Sequence, residues 1–111
     1  ATHPLRGAIF ENYVVAEMMK QYYHKGEIPH LYFYRDKSQN EVDLIEETSF
    51  DHLQIYEIKS AHTCHTSFYK GMDYFRKLYS DKVDGSCVLY DGNERQDLAH
   101  NGFCNFREVP Y

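Results

Sequence analysis

The chain has 111 residues, 42% hydrophobic and 26% charged, a size and balance that suit one globular domain, residues 1–111, and rule against a disordered tail. With 12 Lys and Arg against 17 Asp and Glu, the formal net charge of −5 speaks against a segment that grips phosphate backbones by bulk positive charge. Three cysteines, Cys64, Cys87 and Cys104, without CxxC spacing indicate neither a zinc ribbon nor a complete disulfide framework, and fit a reducing cytoplasm.

From about Pro4 to Lys25 the pattern is helical: Pro4 suits a first turn, apolar residues recur at Ile9, Phe10, Tyr13, Val14 and Met18, and Gly26 offers a stop. Leu31 to Arg35 is aromatic-rich and of strand length. After the polar turn Asp36 to Asn40, the alternating stretch Glu41-Val42-Asp43-Leu44-Ile45 reads as an antiparallel return strand. Thr48 to Asp51 is the next turn, and His52 to Ser60, with Leu53, Ile55 and Ile58 as its apolar members, completes a meander.

Thr66 or Ser67 is placed to cap a second helix whose stripe is Phe68, Met72, Phe75 and Tyr79. Ser86 to Tyr90 is a short apolar strand closed by Asp91-Gly92-Asn93, and Phe103 to Val109 suggests a last one. The expected architecture is α/β, an α-β-β-β-α-β core with a mixed central sheet flanked by helices. No apolar run approaches the roughly 20 residues needed to cross a bilayer, and no signal peptide opens the chain. Cytoplasmic residence is the expectation; because the sequence opens at Ala1 without Met, it also reads as a segment of a longer protein.

Strand side chains alternate faces, so Glu57 and Lys59 emerge on one side of the sheet while Tyr56 and Ile58 point oppositely. Asp43 lies on the preceding strand, where hairpin pairing brings it beside Glu57. Glu11 follows the Gly7, Glu11, Val14, Met18 spacing of a largely apolar helical stripe, and an ionised group there needs a compensating partner. Oxygen ligands of this kind suit Mg²⁺ or Mn²⁺ rather than zinc, and Lys59 is placed to orient water or screen charge on a phosphate.

Gly7-Ala8-Ile9-Phe10-Glu11, Tyr34-Arg35-Asp36, Glu41-Val42-Asp43-Leu44-Ile45 and Glu57-Ile58-Lys59-Ser60 resemble, in order and spacing, the PD-(D/E)xK nuclease superfamily. More narrowly they resemble the nuclease-like domain of unknown function at the carboxy-terminal end of prokaryotic AAA-type ATPases. The resemblance implies a restriction-endonuclease-like fold and a divalent-metal phosphodiesterase site. In it Glu11 is the first-helix acid, Asp43 the second-strand acid, and Glu57 with Lys59 the third-strand pair; Glu11, Asp43 and Glu57 would hold Mg²⁺ or Mn²⁺. Val42 stands where the superfamily has proline before the aspartate. The implied partners are DNA and an amino-terminal ATPase domain of the parent chain, whose phosphate loop GxxxxGK[ST] is not in this sequence.

The rival reading is a catalytically inactive interaction or regulatory module of that ATPase, which the acidic balance favours. A third reading is a zinc loop on His62, Cys64 and His65, for which no fourth ligand is evident. Glu57 and Lys59 taken alone are an ordinary solvated ion pair, Arg35 beside Asp36 reads as a local surface pair, and Lys70, Arg76, Lys77 and Lys82 read as a solvated face. Exposed strand edges leave room for a homo-oligomer.

Overall fold

The computed structural model describes residues 6–60, 66–90 and 102–105. Helix α1 spans Arg6–His24 and buries Val14 and Met18, with Phe10, Val15 and Tyr22 packed beside them. Its end is a left-handed Gly26 (φ 71°), where the Gly26 N–H donates to the Tyr23 carbonyl at 3.0 Å and the Glu27 N–H to the Tyr22 carbonyl at 2.9 Å. This pair of bonds satisfies carbonyls that the helix itself leaves open, so the stop expected at Gly26 is where the chain turns.

Strands β1 (Leu31–Arg35), β2 (Glu41–Ser49) and β3 (His52–Lys59) form the antiparallel meander. A 3₁₀ turn at Thr66–Tyr69 leads into helix α2 (Lys70–Leu78), and β4 (Val83–Tyr90) and β5 (Gly102–Asn105) follow in parallel. The sheet order is β1-β2-β3-β4-β5, giving the expected α/β arrangement with a mixed central sheet.

The helices cover opposite faces. Ile55 of β3 and Val88 of β4 pack with Met72 and Phe75 of α2, whereas the alternate residues Ile58 and Leu89 pack with Val14 and Met18 of α1. Each such fully buried side chain contributes about 1.5–3 kcal/mol of transfer free energy. On the α1 side the phenols of Tyr22 and Tyr56 both donate to the Glu46 carboxylate, fastening the end of α1 to β2 and β3. Burial is the first cause that raises the pKa of both phenols, and keeps them protonated as donors.

Several boundaries differ from the sequence expectation. Strand β2 continues to Ser49 because its polar end still pairs with β3, and β4 begins at Val83 because parallel pairing with Leu53 starts there. Helix α2 is not capped by Thr66 or Ser67: those residues lie in the 3₁₀ turn, and the residue before the helix, Tyr69, makes no side-chain cap bond. Strand β5 ends at Asn105. Pro4, the Asp91–Asn93 turn, the zinc reading on His62, Cys64 and His65, and residues 106–109 lie outside the described residues.

Candidate functional site

A bulge in β2 builds the site. Tyr32 pairs with Ile45 and Tyr34 with Val42, so one residue of β1, Phe33, stands opposite two of β2, Asp43 and Leu44. The extra residue breaks the alternation: Val42 and Ile45, three apart, both enter the α2-side core, while Leu44 enters the α1-side core. Pairing with β3 stops at Leu44 opposite Tyr56, and beyond it the Ile58 N–H donates to Asp43 Oδ2 at 2.8 Å. The Asp43 side chain is thereby anchored in the seam between two strands.

Glu57 is the buried partner, 8% exposed, and with Ser86 it is one of two polar or charged residues buried among the described ones. Burial, a hydrogen bond in which its protonated carboxyl donates to Asp43, and the Asp43 charge push the Glu57 pKa up to about 9, against the opposing pull of Lys59. The proton on Glu57 offsets the repulsion between the two acids, as a bound cation would. This geometry fits a divalent metal, because a hard cation is the other species that relieves paired carboxylates.

Lys59 shares the Glu57 side of β3, with its ammonium 5.6 Å from the centre of the Phe68 ring. Asp43, Glu57 and Lys59 open into one cavity of about 320 Å³. The turn from Ser38 to Glu41 forms one wall, and Ser67, Lys70 and Gly71 form the helical wall.

Glu11 does not line that cavity, although it is half-buried and feels the site: burial and then the Asp43 charge raise its pKa, while Lys59 lowers it. Among the described residues no group of three or more His, Cys, Asp or Glu side chains converges as a preformed metal cage. The pair Asp43 and Glu57 is the nucleus of the site, with Glu11 standing beside it.

The turn wall is shaped by Asp36, whose Oδ1 accepts the N–H groups of Ser38 at 2.9 Å and Asn40 at 3.0 Å, with Gln39 left-handed at φ 64°. Donation from Asn40 above all holds Asp36 below the ordinary carboxylate range. Asp36 is therefore not the partner of Arg35, which pairs across the turn with Glu41 at 3.0 Å. Sequence reasoning read Lys70 as part of a solvated face and passed over Gly71. The available signal was a glycine inside a helical pattern, where it costs about 1 kcal/mol against alanine and so points to a packing reason. Arg76, read as solvated, instead donates to Ser86 Oγ at 2.6 Å, and burial lowers its pKa.

A family model described as a domain of unknown function, DUF4143, matches residues 6–109. No curated protein and no solved structure matches the chain.

Proposed function

This chain belongs to the DUF4143 family of domains of unknown function, and from its site we propose that it is a divalent-metal-dependent phosphodiesterase of the PD-(D/E)xK type, acting on DNA. The observation that carries the reading is the contact between Asp43 and Glu57 in a cavity shared with Lys59. Asp43 and Glu57 would hold Mg²⁺ or Mn²⁺, with Glu11 supporting them through its field. When bound, the metal supplies Lewis-acid polarisation of a phosphoryl oxygen and a more acidic water.

The chain's own groups divide the remaining work. The Ile58 N–H holds one Asp43 oxygen, so the carboxylate is oriented before any ligand arrives. To serve as a ligand Glu57 would give up its proton to solvent water. Lys59, fixed on the same side of the strand, offsets negative charge on the phosphate and orients water for attack. In the parent protein the domain would follow an ATPase domain in the cytoplasm, and the β1 edge, with Tyr32 and Phe33 exposed, leaves a surface where two copies could pair. Among the described residues no helix is long and apolar enough to cross a membrane.

The net charge of −5 favours a second reading, an interaction or regulatory module without catalysis. Mn²⁺-dependent cleavage of single- and double-stranded DNA, assayed beside Asp43→Ala and Lys59→Ala, separates the two. Metal-dependent cutting lost in both variants supports the nuclease. A protein that neither cuts nor binds Mn²⁺ is the module.

A further inference from the structure

Lys70 is the first residue of α2 and opens into the same cavity as Asp43, Glu57 and Lys59. Two other lysines have acidic partners: Lys20 pairs with Glu17 at 3.1 Å and Lys82 with Asp51 at 3.6 Å. Lys70 makes no ion pair with any described residue, although Glu41, Asp43 and Glu57 share its cavity. Its neighbour Gly71 fixes where the backbone of the first helical turn sits. A Cβ at Gly71 would collide with the Glu41 carbonyl oxygen, so the first turn of α2 rests directly on the β2 backbone two residues before Asp43.

The cavity therefore carries acids that suit a cation, and two lysines line it, Lys59 and the exposed Lys70, whose ammonium groups suit anionic oxygens. A nucleic-acid strand presents a negative phosphate at every nucleotide, and a site that seats one phosphate at Asp43 and Glu57 has a neighbouring phosphate to hold. Resting on the phosphodiesterase reading above, we infer that Lys70 is a substrate-binding residue that holds a backbone phosphate of a nucleic-acid strand adjacent to the phosphate at the acid pair. Each ammonium that neutralises a phosphate adds one counterion-release increment to the affinity, whatever the net charge of the chain.

The test measures binding of a short fluorescein-labelled single-stranded DNA to the whole chain by anisotropy, in Ca²⁺ and over a series of salt concentrations, beside Mn²⁺ binding by calorimetry. Lys70→Gln is expected to weaken DNA binding by about three- to tenfold and to reduce the slope of log K against log salt by about 0.7. Mn²⁺ binding should remain at least as tight, because a positive charge has left the neighbourhood of the acids. Lys70→Arg should keep the affinity, and Lys77→Gln, exposed on the same helix but off the cavity, should change neither quantity. Unchanged affinity and slope in Lys70→Gln would overturn the assignment. A parent chain that binds Mn²⁺ but no DNA overturns it while sparing the metal site, and one that binds neither sinks the phosphodiesterase reading with it.

Discussion

The carboxylate of Asp43 accepts the main-chain N–H of Ile58 at 2.8 Å, so an acid of the candidate site is also part of the junction between β2 and β3. Removing it strips a partly buried amide of its acceptor, at a cost of about 1–3 kcal/mol. Asp43→Ala should unfold at lower temperature than the parent. Asp43→Asn retains a carbonyl oxygen and removes a charge from beside Glu57, so its melting temperature should match or exceed the parent's while Mn²⁺ binding is lost. Equal melting of the alanine and asparagine variants would separate Asp43 from the seam.

Glu57 predicts a falling stability with rising pH. Its folded pKa, about 9, lies above the ordinary carboxylate value, so between the two the folded chain keeps a proton that the unfolded chain has released. Stability from this group is complete below the unfolded pKa and declines up to the folded one, by at most about 1.4 kcal/mol per pH unit. Glu57→Gln should flatten this decline and melt higher than the parent at pH 8. Mn²⁺ should narrow the gap by stabilising only the parent, by about 2.7 kcal/mol at a hundredfold excess over Kd. Thermal melts across pH, with and without Mn²⁺, check both, and a variant that keeps the parent's slope contradicts the assignment.

Gly71→Ala tests the clamp between α2 and β2. A methyl group in a free helix favours folding by up to about 1 kcal/mol, yet here it meets the Glu41 carbonyl, and overpacking of that kind costs about 1–3 kcal/mol. Urea denaturation should show net destabilisation. Because the shift moves Lys70 as well, DNA affinity should fall in the same variant; stabilisation would mean that the helix sits farther from β2.

The existence and order of the elements were legible because each rests on a local pattern. The Val14 and Met18 spacing marks the buried face of α1, Gly26 ends it, and alternation places Ile55 and Ile58 on opposite faces of β3. Where the pattern falters, so did the boundaries: Glu46 to Ser49 and Asp84 to Ser86 carry no apolar alternation, and pairing with neighbouring strands makes them strand. The acid set was readable to a similar depth. Glu57 and Lys59 on one face and Asp43 beside them follow from periodicity and a hairpin, whereas the interval between Glu11 and that pair depends on how α1 docks, which leaves Glu11 beside the cavity rather than in its wall.

The sequence by itself determined the α/β order, the two covered faces and the convergence of Asp43, Glu57 and Lys59, since helix and strand periods are set by the backbone and act over a few residues. The tertiary structure alone decided that β2 bulges at Asp43, that burial and the Asp43 charge raise the Glu57 pKa, and that Gly71 seats α2 against β2 so that Lys70 lines the cavity. Those outcomes depend on groups that meet across strands or between helix and sheet, where packing and desolvation, not local periodicity, set the free energy.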